Sequence, residues 1–97
     1  MIIHTVLFYL KPGLSDAPRA EFRAGPELLR SIGTLRALHV GVPAKVCTKP
    51  SLEACYGYSS TGIFHDLSGL NAYDSGPVHQ ALVRRFRNHW ERVQIYD

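Results

Sequence analysis

Tyr73 and His79 are the residues of this chain whose types and spacing best suit acid–base chemistry. Gly76 and Pro77 lie between them and predict a helix that begins at Pro77, which places His79 in its first turn. The break before that helix allows Tyr73 to fold back beside His79. A neutral imidazole, with a reference pKa of about 6.5, can remove a proton, and a tyrosine hydroxyl can donate to an oxygen that gains negative charge. The pair is a candidate base and donor, provided that a pocket brings a substrate to it.

A third candidate, His4, lies on the first predicted strand. Residues Ile2–Leu10 are rich in β-branched and aromatic side chains, and Lys11-Pro12-Gly13 ends them. Alternation divides this strand into two faces: His4, Val6, Phe8 and Leu10 on one, and Ile3, Thr5, Leu7 and Tyr9 on the other. Both faces are largely apolar, so we expect both to be covered. His4 is then either a pocket residue or an ordinary core histidine.

The next segment predicts a helix with a break in its middle. Ser15 or Asp16 can cap its start. Gly25-Pro26 interrupts the apolar stripe, which predicts a kink or two shorter helices. Gly33 lies where a C-terminal cap belongs.

Three more strands and two more helices complete the pattern. Alternating or β-branched residues predict strands at Leu35–Val42, Tyr56–Phe64 and Arg92–Tyr96. Asp66 can cap a short helix that runs toward Tyr73, and the helix from Pro77 extends to about His89.

The order of these elements, β-α-β-β-α-β, predicts an α+β fold of the ferredoxin-like split type, in a single domain that covers residues 1–97. Its four strands form an antiparallel sheet with the helices on one face. Ile3, Leu7 and Tyr9 on the other face would remain in water, at a cost on the order of several kcal/mol. We therefore expect a homodimer in which two sheets pack face to face.

Composition argues against several other classes of function. The 97 residues are 45% hydrophobic and 20% charged, with a net charge of +3, as in ordinary soluble proteins. Arg84, Arg85 and Arg87 suit a solvated helix face better than a nucleic-acid site, and no apolar run is long enough for a membrane span. Cys47 and Cys55 lack zinc spacing, and no Asp/Glu/His cluster accompanies them. With no signal peptide, we interpret them as free thiols in a cytoplasmic protein that needs no metal or cofactor.

Three segments together resemble the stress-responsive A/B-barrel (Dabb) family across essentially the whole chain. They are Ile3-His4-Thr5-Val6-Leu7-Phe8, Ala72-Tyr73 with Pro77-Val78-His79-Gln80-Ala81, and Trp90-Glu91-Arg92-Val93-Gln94-Ile95-Tyr96-Asp97. The resemblance implies a dimeric α+β barrel, which agrees with the fold predicted from the pattern alone.

The resemblance extends to polyketide cyclases of the olivetolic acid cyclase type, which close a poly-β-keto thioester by intramolecular aldol condensation without a cofactor. It implies that His79 is the catalytic base, that Tyr73 assists it and that His4 lies in the pocket. A third-strand histidine of those cyclases falls on Tyr58, and a family histidine before the proline falls on Gly76. These two departures leave the His79–Tyr73 pair intact and concern the substrate class.

The family's strand register also implies a pocket between sheet and helices. It places Tyr58, Ser60, Gly62 and Phe64 on the helix-facing side of the third strand, where Ser60 and Gly62 are small and leave room. The expected lining of this apolar pocket is Val6, Phe8, Phe22, Tyr58, Ser60, Gly62, Leu82, Val83, Phe86, Trp90, Val93 and Ile95.

Three functions are compatible with such a pocket. One is a cofactor-free cyclase or related lyase that acts on a polyketide-like or aromatic carbonyl compound. Another is a ligand-binding or stress-associated dimer without turnover, in which His79 caps its helix and Tyr73 simply packs. The third is a cofactor-independent monooxygenase, since related dimeric barrels oxidise polycyclic phenols. The His79–Tyr73 pair favours the first over the second, and the expected ligand is a small apolar or aromatic molecule.

Overall fold

The computed structural model of the chain describes residues 1–44 and 56–97. Its strands are β1 (Ile2–Leu10), β2 (Leu35–Gly41), β3 (Tyr58–Phe64) and β4 (Trp90–Tyr96). Its helices are α1 (Asp16–Ala24), a 3-10 helix (Gly25–Ser31), α2 (Leu67–Ser75) and α3 (Pro77–Phe86). The strands form one antiparallel sheet in the order β2-β3-β1-β4, which confirms the predicted ferredoxin-like α+β fold. The interpretation of Cys47 and Cys55 concerns residues outside the described ranges.

The first helical segment divides at Gly25, as the Gly25-Pro26 pair indicates. Pro26 lacks the N–H that would continue the α-helical hydrogen bonds, and a 3-10 helix follows. Gly25 also packs closely against α3, because a Cβ there would lie 2.5 Å from the Phe86 ring. The predicted glycine cap at Gly33 is wrong. Ile32 ends the 3-10 helix, and no glycine in the described ranges 1–44 and 56–97 has a positive φ.

Three element ends differ from prediction by two residues or more. α3 ends at Phe86 rather than at about His89, because the N–H of His89 donates to the Phe86 carbonyl at 2.8 Å and turns the chain early. β4 therefore begins at Trp90, two residues before the predicted start. β3 begins at Tyr58, two residues later than predicted.

The helices pack on one face of the sheet and bury two clusters of apolar side chains. One cluster consists of Leu29, Leu38, Phe64, Leu70 and Tyr73. The other consists of Phe22, Tyr58 and Phe86. Burial of a large apolar side chain contributes about 1.5–3 kcal/mol, so these clusters supply much of the stability of the fold.

The opposite face of β1 is only partly covered in the single chain. Ile3 is half exposed, and the hydroxyls of Thr5 and Thr61 lie 3.2 Å apart across the β1–β3 pair. Tyr9 differs from prediction: it does not need a second subunit to leave water, because it is already buried within one chain. The Arg92 guanidinium lies 4.5 Å from its ring centroid, a cation–π contact that covers the ring.

Candidate functional site

A cavity of about 330 Å³ lies between the helix-facing side of the sheet and the helices. Strands β1, β3 and β4 form its floor, and α1, the 3-10 helix, α2 and α3 form its walls. This volume is at the lower end of the range for small-molecule sites. The lining residues are His4, Val6, Phe8, Phe22, Pro26, Leu29, Ser60, Tyr73, Asp74, His79, Leu82, Val83, Phe86, Trp90, Val93, Ile95 and Asp97.

The junction between α2 and α3 brings Tyr73 and His79 together. Gly76 has extended backbone angles, φ −72° and ψ 160°, and it both ends α2 and caps α3, with Pro77 as the first helical residue. Tyr73 therefore lies in the last turn of α2 and His79 in the first turn of α3. Their ring centroids are 4.9 Å apart, and the planes are inclined by 47°. The two rings are thus in contact, and both side chains lie on the cavity wall, as their sequence spacing suggests.

The backbone of Asp74 fixes the protonation pattern of His79. The Nδ1 atom of His79 lies 3.1 Å from the Asp74 carbonyl oxygen. A carbonyl can only accept a hydrogen bond, so Nδ1 carries the hydrogen and Nε2 keeps its lone pair. The Asp74 carboxylate lies 3.9 Å from Nε2, so the same residue flanks both nitrogens of the ring. In the neutral ring, Nε2 is the atom that can accept a proton.

Tyr73 has a hydroxyl that holds its proton tightly. The residue is buried, and its hydroxyl forms no hydrogen bond with any residue in the described parts of the chain. Burial, aided by the nearby Asp74 carboxylate, raises the pKa of Tyr73 to about 12. The hydroxyl therefore keeps its proton near neutral pH and remains available to a ligand oxygen.

His4 also lies in the cavity wall, and a carboxylate holds it in place. His4 is buried on β1, and its Nδ1 is hydrogen-bonded to Oδ1 of Asp97. Its ring meets that of Tyr73 edge to face, with centroids 5.9 Å apart. Because the carboxylate accepts from Nδ1 of the neutral ring, Nε2 of His4 is left as an acceptor. Three polar side chains thus lie in contact, in the order His4, Tyr73, His79.

Away from these groups the cavity wall is aromatic. Phe22 lies at the centre, with ring centroids 5.0 Å from Phe8, 5.6 Å from Phe86 and 6.1 Å from Trp90. Each contact is edge to face, the arrangement that aromatic pairs prefer. Phe8 is four residues from His4 along β1, so the aromatic group lies roughly 13 Å from the histidine along that strand.

The structure brings most of the sequence-predicted residues to the cavity. Those that line it are His4, Val6, Phe8, Phe22, Ser60, Tyr73, His79, Leu82, Val83, Phe86, Trp90, Val93 and Ile95. Tyr58 and Gly62 do not line the cavity, contrary to prediction. The Tyr58 hydroxyl donates to the carbonyl of Arg23 at 3.1 Å, which ties it into the core. The space above Gly62 is filled, since a Cβ there would lie 3.1 Å from the side chains of Leu35 and Phe64.

Four lining residues were not predicted from the sequence: Pro26, Leu29, Asp74 and Asp97. A signal existed for Asp97, because it continues the alternation of Val93 and Ile95 and so falls on the same face as His4. The apolar stripe of the first helical segment includes Leu29, but it did not indicate that Leu29 or Pro26 would line the cavity. They lie on a 3-10 helix, whose three residues per turn shift the faces that an α-helical pattern predicts.

In ranges 1–44 and 56–97, no three His, Cys, Asp or Glu side chains are grouped so that they could hold a metal ion. No helix in the same ranges is long and apolar enough to cross a membrane.

Solved structures resemble this chain over nearly its full length. A protein from Arabidopsis thaliana covers 100% of the chain and 92% of its own length, at 21% identity and a TM-score of 0.82. A dimeric ferredoxin-like protein of unknown function from Thermobifida fusca covers 97% of the chain and 85% of its own length, at 15% identity and a TM-score of 0.80. A hydroxynitrile lyase from Passiflora edulis covers 97% of the chain and 87% of its own length, at 15% identity and a TM-score of 0.81. At these identities the likeness establishes the fold.

The family comparison is more specific. No curated protein sequence matches the chain significantly. The model of the stress responsive A/B barrel domain matches residues 2–97, which includes every described residue of the cavity wall. The chain therefore belongs to the stress responsive A/B barrel (Dabb) family.

Proposed function

We propose that the cavity binds a small apolar or aromatic carbonyl compound of polyketide-like structure, and that His79 and Tyr73 catalyse a cofactor-free aldol-type cyclisation or related lyase reaction on it. The observation that carries the proposal is the contact between an oriented imidazole and an unpaired tyrosine hydroxyl on the wall of an otherwise apolar cavity. A base and a donor next to each other in a water-poor site are the requirements of carbanion chemistry at a carbonyl compound.

The proposed steps follow from the two orientations. Nε2 of His79 removes a proton from the carbon beside a carbonyl group, and the electron pair of that C–H bond forms an enolate. The Tyr73 hydroxyl donates a hydrogen bond to the enolate oxygen as this oxygen gains negative charge. The enolate carbon then attacks a second carbonyl carbon, whose oxygen becomes an alkoxide. The imidazolium of His79 then returns its proton to that oxygen, which regenerates the base.

His4 and Asp97 have a supporting role in this proposal. The Asp97 carboxylate holds the His4 ring through Nδ1, so Nε2 has a fixed position beside Tyr73. From there His4 can orient the Tyr73 hydroxyl or a hydroxyl group of the substrate. Such an arrangement of base and carboxylate is common where a ring orientation matters.

One structural relative supports the lyase class. The Passiflora edulis protein of the same fold is a hydroxynitrile lyase, so this architecture can support lyase chemistry. The second candidate is a dimer that binds a ligand in the same cavity without turnover. The size and apolar lining of the cavity support this candidate as well as they support catalysis. The third candidate, a cofactor-independent monooxygenase, rests on the fold alone.

The proposed functional unit is a homodimer. The partly covered face of β1, with Ile3 half exposed, is the surface that two sheets would bury against each other, and the Thermobifida fusca relative is described as dimeric. Sedimentation should give a mass near twice 10.9 kDa. Leu7→Lys should yield monomers or aggregates because it places an unpaired charge in the interface. A folded wild-type monomer at micromolar concentration would refute the dimer.

Proton abstraction can be tested without knowledge of the natural substrate. 4-Phenylbutan-2-one is a slow-exchanging ketone, and NMR in D2O follows exchange of its α-protons. We expect saturable exchange with the wild type and a rate about 10²–10⁴ lower with His79→Ala. His65→Ala, which changes an exposed histidine remote from the cavity wall, is the matched control. A ketone that binds but exchanges no faster than in buffer would leave ligand binding as the function.

A further inference from the structure

Ser60 is a buried polar residue in the cavity floor that the proposed chemistry does not use. It is 5% exposed, and it lines the cavity from β3. Its hydroxyl forms no hydrogen bond with any residue in the described parts of the chain. The Ser60 oxygen is open to the cavity rather than sealed in the core, so it can form a hydrogen bond with whatever occupies that space.

The neighbours of Ser60 offer it no partner. Its cross-strand neighbours on the helix-facing side are Val6 on β1 and Val40 on β2, both apolar. Along β3, the Tyr58 hydroxyl already donates to a backbone carbonyl, and Gly62 has no side chain. Only the contents of the cavity can satisfy the Ser60 hydroxyl.

The sheet register sets the position of this hydroxyl relative to the polar groups. His4 pairs with Gly62, and Val6 pairs with Ser60, so Ser60 is the diagonal neighbour of His4. Diagonal neighbours on one face of a sheet are roughly 7–8 Å apart. Ser60 is therefore a separate polar position, between the His4–Tyr73–His79 group and the aromatic wall.

We propose that the Ser60 hydroxyl binds a second oxygen of the ligand and thereby selects compounds with two oxygens, such as dicarbonyl compounds, over simple ketones with an apolar chain. The inference rests on the proposed function for the first oxygen, which Tyr73 binds. A ligand that is apolar at this position excludes water and leaves the hydroxyl unpaired, whereas an oxygen there replaces the hydrogen bond that water would make. Most of the discrimination comes from weaker binding of the ligand that lacks the second oxygen, because that ligand leaves the Ser60 hydroxyl unpaired.

Binding of two probes that differ by one carbonyl tests the inference. Decan-2-one and decane-2,6-dione share one chain, and the dione has its second carbonyl four carbons from the first. Trp90 is the only tryptophan and lines the cavity, so its fluorescence reports binding of either probe. We expect Ser60→Ala to weaken binding of the dione about three- to tenfold relative to binding of the ketone, the range for one neutral hydrogen bond.

Ser59→Ala is the matched control. Ser59 is adjacent on β3 but faces the other side of the sheet, where its hydroxyl donates to the Gly41 carbonyl at 3.5 Å. This variant should leave the ratio of the two dissociation constants unchanged. Circular dichroism should show both variants folded, since neither substitution removes apolar packing.

The outcomes separate the inference from the proposed function. If both probes bind and Ser60→Ala weakens them equally or not at all, the role of Ser60 is refuted while the ligand site stands. If neither probe binds the wild type, carbonyl binding in the cavity is refuted, and the role of Ser60 is refuted with it. A selective loss of dione binding in Ser60→Ala supports both.

Discussion

The two ends of the cavity are built in different ways. At one end, His4, Tyr73 and His79 come from β1 and from the junction of two helices, and their orienting partners Asp74 and Asp97 have half-exposed carboxylates. At the other end, the rings of Phe8, Phe22, Phe86 and Trp90 interlock edge to face, and Phe22 and Phe86 are fully buried. The aromatic end is held by ring packing alone, whereas at the polar end the rings of His4 and His79 are each held by a single hydrogen bond.

This difference assigns separate tasks to the two ends. A tightly packed wall resists change and gives a ligand a fixed apolar surface. The ring of Tyr73 packs in the core, but its hydroxyl has no partner, and the imidazole of His79 is held by one carbonyl. These two polar groups add little to stability and remain available for chemistry. Substitutions at the aromatic end should therefore affect stability first, and substitutions at the polar end should affect turnover first.

The largest effect on stability is expected at the aromatic end. Phe22→Ala should lower the free energy of unfolding by about 3–5 kcal/mol, because it removes the central ring and leaves a void among its neighbours. Leu28→Ala, on the exposed side of the 3-10 helix, should change it by less than about 0.5 kcal/mol. Urea denaturation measures both. Equal losses in the two variants would contradict the view that the aromatic end stabilises the fold.

The next effect is an alkaline loss of stability at the polar end. The pKa of Tyr73 is about 12 in the folded protein and about 10 in the unfolded chain. The folded state therefore holds the proton more tightly, and the stability due to Tyr73 is complete below pH 10 and is lost as pH rises through 12. The loss should be about 2–3 kcal/mol.

Tyr73→Phe separates this contribution from others. Burial also raises the pKa of Tyr58, which contributes a loss in the same pH range in both proteins. The difference in unfolding free energy between wild type and Tyr73→Phe should change in favour of the variant between pH 10 and 12. A difference that is constant across that range would mean that the Tyr73 hydroxyl is in contact with water.

The smallest effect concerns the carboxylate that holds His4. Asp97→Asn should reduce turnover about three- to tenfold, since one charge-assisted hydrogen bond to the ring becomes a neutral one. Nitrogen NMR of His4 should show a single Nδ1–H tautomer in the wild type and a mixture of tautomers in the variant. Glu91→Gln, an exposed carboxylate on the same strand, is the control. An unchanged tautomer together with lower turnover would exclude a positioning role for Asp97.

Much of this organisation can be predicted from the sequence, because it depends on local patterns. The alternation in β1 indicates that His4, Val6 and Phe8 share a face, and the Gly76-Pro77 break indicates that Tyr73 and His79 approach each other. The features that could not be predicted depend on contacts between distant elements. The filled space above Gly62 depends on how Leu35 and Phe64 pack, and the burial of Tyr9 depends on where Arg92 lies on the neighbouring strand.

A crystal structure with 4-phenylbutan-2-one bound tests the division of tasks most directly. We expect the carbonyl oxygen to lie within hydrogen-bond distance of the Tyr73 hydroxyl, with an α-carbon next to Nε2 of His79 and the phenyl ring against Phe22 and Trp90. A ligand bound in the opposite orientation, or outside the cavity, would contradict the proposed roles, because neither His79 nor Tyr73 could then act on the carbonyl group.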